Sequence, residues 1–296
     1  MAAMDNRITV IGTGAIGGAV TRRLLAAGRD VVVWNRTAAR VAPLVAAGAR
    51  PADSIAAATA SSRLVLLTLT DYAAVRECLA QFDGHRPGLT VVALCTGTPH
   101  DAQQAAQQAA RYLDGGVQAA PEAIGTASAT FLFSGSRDAF DEHAATLGLL
   151  GSVRFVGEAP EAAAIWDLTL FGVWYDAQLG LLRALETVRA AGVDVTDFAG
   201  TAGKQLGYVV SAVTGTAAEV QRGVYPSGPA TLPEHLTVIR QLLEHRAGHR
   251  LGDGGLAAVA ARIETLVAAG HGSDGLTATV SEAGSDCRVT AGTQEW

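Results

Sequence analysis

The segment that decides the fold is GTGAIG at residues 12–17, which follows the β-branched run Ile8–Ile11. The spacing G-x-G-x-x-G between a strand and a helix is the fingerprint of a dinucleotide-binding βαβ unit. Its context is complete here, because a helical pattern over Ala15–Ala27 ends at Gly28 and the next strand pattern is Val31–Trp34. We therefore predict a Rossmann-type domain that binds a dinucleotide.

Each glycine of this loop has its own physical task. Gly12 makes the tight turn after the strand, Gly14 lets the backbone approach the pyrophosphate, and Gly17 lets the helix pack closely on the strand. The helix N-terminus adds free N–H groups and a partial positive charge, which favour phosphate binding. The predicted cofactor-binding residues of the loop are Gly12, Thr13, Gly14, Ala15, Ile16 and Gly17.

Short apolar runs alternate with helical patterns as far as residue 155, which indicates βαβ units and a parallel sheet. The further predicted strands are Leu64–Leu69, Val91–Cys95, Gly116–Ala119 and Thr130–Phe133, and the further predicted helices are Ala38–Ala47, Tyr72–Leu79 and Asp101–Arg111. The predicted fold class is therefore α/β, with a Rossmann-type doubly wound parallel sheet.

The pattern changes after Gly157. From Ala159 to Ala191 no combination of Gly and Pro is strong enough to stop a helix, and such a helix would be roughly 45–50 Å long. That length exceeds what one sheet needs, so we expect the helix to join two domains. Only helical patterns follow, over Val195–Val280, with a loop marked by Pro226, Gly228, Pro229 and Pro233.

These patterns divide the chain into four predicted segments. They are a Rossmann domain over residues 1–158, a long interdomain helix over 159–192, an all-α C-terminal domain over 193–281 and a disordered tail over 282–296. The tail is polar and has no apolar residues spaced to anchor it, which is typical of unfolded termini.

The residues at the end of the second strand indicate the cofactor. NAD-binding proteins usually place Asp or Glu there to hold the ribose 2′-hydroxyl, whereas this chain has Asn35, Arg36 and Thr37. Arg36 can pair bidentately with a 2′-phosphate, Thr37 adds a hydroxyl and Arg40 adds a second charge. We therefore predict NADP (as NADPH) in preference to NAD.

Ligands of open α/β sheets bind beyond the carboxyl ends of the strands. Thr68 and Leu69 end one predicted strand, Thr70 follows it, and Thr96 follows another, so we add these four to the predicted cofactor-binding residues. The Thr96 hydroxyl can instead cap the helix predicted from Asp101, and the sequence leaves both roles open.

Composition excludes several classes of function. Lys and Arg number 22 against 28 Asp and Glu, for a net charge of −6, which is unlike a nucleic-acid-binding protein. The chain contains no run of about 18 uncharged apolar residues, so no membrane-spanning helix is predicted.

The three cysteines fit no disulfide or zinc framework. Because no signal-peptide pattern is present either, a cytoplasmic location is expected. His245 and His249 lack the further ligands of a metal site, so no metal is predicted.

With these residues identified, the chain resembles the imine reductase and reductive aminase family, a relative of the β-hydroxyacid dehydrogenases. The resemblance extends over roughly residues 7–280, and its more specific motifs are Thr96-Gly97-Thr98-Pro99 and Ala123-Ile124-Gly125-Thr126. It implies an NADPH-dependent imine reductase acting on a cyclic or condensed imine, or on a ketone plus an amine. It also implies a domain-swapped homodimer whose C-terminal domain serves dimerisation and substrate binding.

One departure from the parent superfamily bears on the chemistry. Where β-hydroxyacid dehydrogenases have a catalytic lysine early in the long helix, this chain has Asp167, as imine reductases commonly do. The stretch from Arg154 to Arg183 contains no lysine. A carbonyl reductase of the β-hydroxyacid dehydrogenase type is therefore disfavoured, although it stays an alternative, as does an NADP-binding protein without turnover.

Reducing a C=N bond requires hydride at carbon and a proton at nitrogen, and Asp167, Tyr175 and Asp176 are the candidate groups on the long helix. At 100° per residue, Tyr175 lies about 80° from Asp167 and Asp176 about 180° from it, so both aspartates cannot face one cleft. The resemblance implies Tyr175 as proton donor or iminium-orienting group, with Asp167 orienting substrate or cofactor. The alternatives are a packing aromatic for Tyr175 and a buried structural hydrogen-bonder for Asp167.

Overall fold

An eight-stranded sheet forms the first part of the computed structural model, which describes residues 7–60 and 62–283. The strands are β1 (Arg7–Ile11), β2 (Asp30–Trp34), β3 (Arg50–Pro51), β4 (Leu64–Leu67), β5 (Thr90–Leu94), β6 (Tyr112–Gln118), β7 (Thr130–Gly135) and β8 (Ser152–Gly157). Their spatial order is β3-β2-β1-β4-β5-β6-β7-β8, and β6–β7 is the antiparallel pair among otherwise parallel neighbours. The first six strands have the 3-2-1-4-5-6 order of the Rossmann fold, which confirms the predicted fold class.

Helices cover both faces of this sheet. They are α1 (Ala15–Ala26), α2 (Ala42–Ala46), α3 (Ile55–Ala60), α4 (Tyr72–Leu79), α5 (Pro99–Ala106) and α6 (Arg137–Leu147), with 3₁₀ turns at Ala38–Arg40 and Pro121–Ala123. Two separate apolar cores pack on the strands, one containing Val33 and Phe131 and the other Val65 and Val91. Strands buried on both faces explain the continuous Val, Ile and Leu runs in the sequence.

Several predicted bounds were wrong, each for a local reason. The helix expected over Ala38–Ala47 is a 3₁₀ turn followed by α2, because Pro43 has no N–H to continue the first helix but suits the first turn of a new one. The strand expected over Leu64–Leu69 ends at Leu67, since the Thr68 hydroxyl turns to donate to the Gly12 carbonyl at 2.6 Å.

Other differences lie further along the chain. The helix expected over Asp101–Arg111 begins at Pro99 and ends at Ala106, because Thr98 and Asp101 form a capping box at its start. The strand expected over Gly116–Ala119 is the end of the longer β6, whose buried Asp114 interrupts the apolar pattern. Strands β3 and β8 and helices α3 and α6 were not predicted.

The long helix is present as α7 (Ala162–Ala190), with 29 residues, slightly shorter than the span expected from Ala159 to Ala191. The chain divides into two compact units within this helix, after Val173. The second unit continues with α8 (Val195–Arg222), α9 (Leu232–His245), α10 (Leu256–Ala268) and a 3₁₀ turn at Leu276–Val280. Pro233, expected in a loop, lies in the first turn of α9.

The second unit has a small core of its own, built where α9 packs on α10 around Leu236, Ile239 and Ile263. From residue 284 onward, the tail predicted over 282–296 lies outside the described residues. No helix in residues 7–60 and 62–283 is long and apolar enough to cross a membrane. In the same residues, no group of three or more His, Cys, Asp or Glu side chains could hold a metal ion.

Candidate active site

The phosphate-loop glycines differ in what surrounds them. A Cβ on Gly12, whose φ is +94°, would lie within 3.0 Å of the Thr68 carbonyl oxygen, and a Cβ on Gly17 would lie equally close to the Gly12 carbonyl oxygen. A Cβ on Gly14 would meet no atom within 4 Å. Packing of the protein on itself therefore requires glycine at positions 12 and 17, whereas Gly14 borders open space.

The start of α1 suits an anion. Gly14 is its N-cap and has no side chain that could accept from the N–H groups of the first turn, so those groups are available to a ligand. The Thr13 hydroxyl oxygen is buried with no hydrogen-bond partner in the described residues. The loop thus fits a dinucleotide pyrophosphate, which would lie against Gly14.

Three adjoining clefts surround this loop. The largest of the three, of about 440 Å³, is lined mainly by the loop glycines, by residues at or just after the ends of strands, by Arg40 and by Phe171 of α7. The residues near the strand ends are Asn35, Thr68, Leu69, Thr70, Cys95, Thr96, Val117 and Ala119. A second, of about 200 Å³, has Arg36 and Thr37 in its wall, and a third, of about 390 Å³, is bordered by Thr13, Arg22 and Arg40. All fourteen predicted cofactor-binding residues border one of these clefts. Arg22, which was not predicted, lies about two helical turns after the start of α1.

Asn35 connects the phosphate loop to the segment that follows β2. Its Oδ1 accepts from the Thr13 N–H at 3.0 Å, and its Nδ2 donates to the Thr37 carbonyl at 3.0 Å. Both ends of the amide are therefore used within the protein. The exposed Arg36 and Arg40 are left to face a ligand at the end of β2.

The strand ends on the other side of the cleft hold a buried carboxylate. Thr96 Oγ1 donates to Asp167 Oδ2 at 3.0 Å, and Gln118 Nε2 donates to Asp167 Oδ1 at 2.7 Å. Asp167 is only 2% exposed, and Thr96 and Phe171, one turn beyond Asp167, line the cleft. The structure therefore brings Asp167 and Thr96 together. Thr98, not Thr96, caps α5, so the capping role for Thr96 was wrong, and its contact with a cofactor stays a prediction.

Two opposing influences act on the Asp167 carboxyl. Burial raises its pKa above the usual range, and hydrogen bonds from Gln118 and Thr96 lower it in part. Each carboxylate oxygen has a donor, which is the arrangement expected of an ionised acid that is held in place. Gln118 was not predicted, and its position at the end of a strand whose bounds were misjudged is the signal that could have revealed it.

A second buried carboxylate lies deeper in the same region. Asp114, on β6, accepts from the hydroxyl groups of Tyr72 and Tyr112, and burial is the main cause that raises its pKa to about 7. The half-buried Cys95, at the base of the cleft, has a thiol whose pKa is raised by burial and by nearby carboxylates, Asp114 first. Asp114 was not predicted as a site residue, and the signal that could have revealed it is a carboxylate placed within the buried strand β6.

Tyr175 and Asp176 lie on α7 in the second unit, beyond the point at which the chain divides. Tyr175 is 55% exposed in the single chain, and its ring packs edge-on against Trp174 with centroids 4.9 Å apart. Neither residue is among those that line the three clefts. The role expected of Tyr175 therefore stays a prediction.

Comparison with known proteins follows this division of the chain. A family model described as the NAD binding domain of 6-phosphogluconate dehydrogenase matches residues 7–157, and one described as the NADPH-dependent reductive aminase-like C-terminal domain matches residues 159–284. An NADPH-dependent reductive aminase of Aspergillus oryzae is 30% identical over 286 residues, which are 94% of this chain and 97% of that protein. The chain belongs to the reductive aminase family.

Solved structures of this family agree in fold over nearly the whole chain. A reductive aminase from Aspergillus terreus, in complex with NADPH4, cyclohexanone and allyl amine, has a TM-score of 0.84 at 31% identity and covers 93% of this chain and 98% of its own. An imine reductase from Myxococcus stipitatus, in complex with NADP+, has a TM-score of 0.83 at 30% identity, with 92% and 98% covered. Membership in the reductive aminase family confirms the predicted NADP-dependent oxidoreductase that acts on C=N bonds.

The contrast between Gly14 and Gly17 predicts two separable defects. Gly17→Ala should lower the melting temperature clearly, because its Cβ would overlap the Gly12 backbone. Gly14→Ala should fold as the parent does but bind NADPH at least about tenfold more weakly, because its methyl group enters the space that the pyrophosphate needs. Thermal unfolding and NADPH titration measure the two effects. A Gly14→Ala variant with unchanged NADPH affinity would contradict this assignment of the loop.

Proposed function

We propose that this reductive aminase family member reduces the C=N bond of a cyclic or condensed imine, formed from a ketone and an amine, with NADPH as hydride donor. The observation that carries the proposal is the buried Asp167 carboxylate bound to the cleft-lining Thr96. It occupies the place at which β-hydroxyacid dehydrogenases have a lysine.

A negative charge at this position favours an iminium over a carbonyl. The nitrogen of an iminium is cationic before hydride arrives, so a nearby carboxylate stabilises it, whereas a lysine ammonium would repel it. A ketone develops negative charge on oxygen during reduction and is served better by a cation or a proton donor. Asp167 therefore supports C=N reduction and disfavours C=O reduction.

Thr96 lies between the Asp167 carboxylate and the cleft. Its hydroxyl hydrogen is committed to Asp167, so its oxygen can only accept a hydrogen bond from a group in the cleft. A protonated imine N–H and a carboxamide N–H are both suitable donors. Asp167 is thus a positioning residue that acts through Thr96, and Gln118 keeps the carboxylate in the orientation that this contact requires.

NADPH supplies hydride when bound, and residues of the first unit would hold it. The loop residues Gly12, Thr13, Gly14, Ala15, Ile16 and Gly17 would cradle the pyrophosphate. Arg36, Thr37 and Arg40 would bind the 2′-phosphate, with Asn35 setting their position. Thr68, Leu69, Thr70 and Thr96 would line the rest of the cofactor cleft. Arg22 adds a further guanidinium group at the edge of the site.

A homodimer would complete the site. On α8, the apolar residues Leu206, Val209, Val210 and Val213 recur at i, i+3, i+4 and i+7, the spacing of a helix face that packs, and all four are exposed in the single chain. A stripe of this kind supports burial against a second copy, with the helical domain of one chain exchanged onto the other. In that assembly Tyr175 would donate the proton or orient the iminium.

Cofactor choice is tested at Arg36. Arg36→Ala should raise the Michaelis constant for NADPH about 10–100-fold, because a charge-assisted pair with phosphate is removed, and should leave use of NADH nearly unchanged. Arg137→Ala is the control, since Arg137 is an exposed arginine that pairs with Asp141 on α6. Equal effects of Arg36→Ala on both cofactors would refute its assignment to the 2′-phosphate.

Proton supply is tested by Tyr175→Phe and Asp167→Asn. Loss of one positioned acid costs about 10²–10⁴ in rate, so Tyr175→Phe should lower turnover on a neutral cyclic imine without weakening NADPH binding. The loss should be smaller on a permanently charged iminium, which needs no proton. Near-normal turnover of Tyr175→Phe, with Asp167→Asn inactive, would reverse the two roles.

Assembly is tested on the stripe of α8. Light scattering at micromolar concentration should give twice the chain mass for the parent protein, and Val213→Glu should shift it to the monomer and abolish activity, because a buried unpaired charge is costly. Lys204→Glu, on the opposite side of α8, should change neither property. A fully active monomeric parent protein would exclude the dimer.

A further inference from the structure

The first turn of α7 gains its hydrogen-bond partners from outside the helix. An α-helix begins with four N–H groups that have no partner within it. In α7 three of these groups belong to residues 162–164, and their partners are the Ala159 carbonyl, the Ser134 hydroxyl and the Asp114 carboxylate, in that order. Two of these three partners are therefore side chains of the sheet.

Ser134 and Asp114 are directly paired across the antiparallel strands β6 and β7. Ser134 is fully buried; its Oγ accepts from the Ala163 N–H at 2.9 Å and donates to the Pro160 carbonyl at 2.8 Å. Asp114 is 2% exposed, and the Ala164 backbone N–H bonds to it. One strand pair thus holds both the first turn of α7 and the segment that leads into it.

Asp114 also ties this turn to the loop that contains Thr96. The Tyr72 hydroxyl donates to Asp114, and the Tyr72 ring fills the space beside Gly97, where a Cβ would lie within 3.0 Å of it. Asp114 is therefore fixed to both parts of the protein that form the Thr96–Asp167 contact: the loop after β5 and the start of α7.

We infer that Asp114 and Ser134 are positioning residues for the reduction, because they fix the first turn of α7 and so hold Asp167 against Thr96. Asp167 follows Ala163 by four residues, which places it one helical turn above the anchored N–H groups. A small tilt at that turn displaces the carboxylate, and misplacement of a reacting group by about 1 Å can cost about 10²-fold in rate. The inference rests on the proposed role of Asp167.

The charge of Asp114 adds to its hold on the helix. A carboxylate at a helix N-terminus is stabilised by the partial positive charge there. The groups that face Asp114 are Tyr72 from α4, Tyr112 from β6, Cys95 from the loop after β5 and Asp167 from α7. With a pKa of about 7, Asp114 gains its charge in the neutral range, so the anchoring of α7 strengthens as pH rises through that range.

The test compares Ser134→Ala and Asp114→Asn with Thr9→Val. Thr9 is a fully buried strand residue whose hydroxyl bonds to Ala58 and Ser62 and not to α7 in the described residues, so Thr9→Val controls for lost stability. Turnover on a preformed cyclic imine should fall about 10–100-fold in both test variants, with NADPH affinity within about twofold of the parent. Thr9→Val should keep parental turnover below its melting temperature.

Two further readouts separate positioning from stability. Ser134→Thr keeps the hydroxyl and should restore turnover relative to Ser134→Ala. The parent's turnover should rise through about pH 7 as Asp114 ionises, and Asp114→Asn, which cannot ionise, should lose this rise. If Ser134→Ala does not fold, Asp114→Asn, which keeps shape and one acceptor oxygen, decides the matter alone.

The outcomes distinguish the two proposals. Parental turnover in Asp114→Asn and Ser134→Ala, with Asp167→Asn inactive, would overturn the positioning role and leave the proposed function intact. Parental turnover in Asp167→Asn would instead overturn the role of Asp167 on which both depend. Loss of turnover in all three variants, with NADPH binding kept, would support both.

Discussion

Close contact of backbone on backbone at the phosphate loop sets the geometry of the first unit. Gly12 and Gly17 approach each other and Thr68 so closely that no side chain fits between them, and the Thr68 hydroxyl fastens the end of β4 to the Gly12 carbonyl. Three elements, β1, α1 and β4, therefore meet at one fixed point. The ends of β2 and β5 follow from sheet pairing with β1 and β4, and the clefts that they border open on the same edge of the sheet.

Different kinds of side chain form the two sides of the 440 Å³ cleft at the phosphate loop. On the side of β2 the protein keeps its own polar atoms occupied, through Asn35, and leaves exposed arginines for a ligand. On the side of β6 it buries two carboxylates, Asp114 and Asp167, which is costly unless each is hydrogen-bonded. Tyrosine, threonine and glutamine side chains provide those bonds. One side thus presents exposed positive charge and the other hydrogen-bonded buried carboxylates.

The sequence predicts the elements whose formation depends on a local pattern. It does not predict residues whose role depends on contacts with distant parts of the chain. The Gly-rich loop, the strands around it and the 29-residue α7 have strong periodic signals and were placed within a few residues. Pro43 shifts a helix boundary because it lacks an N–H, and Thr98 shifts another because it caps α5. Hydrophobic periodicity detects neither effect. Gln118 and Asp114 were missed because their importance arises from contacts with Asp167, 49 residues away, and Tyr72, 42 residues away.

Cys95 is a potential nucleophile in the wall of the cleft, and its surroundings determine how reactive its thiol is. Its side chain lines the 440 Å³ cleft at the phosphate loop, and ketones and iminium ions are electrophiles that a nucleophile can attack. Only the thiolate form of cysteine attacks readily, and burial, followed by nearby carboxylates, raises the pKa of the Cys95 thiol and so keeps it protonated. Burial and neighbouring negative charge therefore make Cys95 a poor nucleophile towards a ketone or an iminium ion.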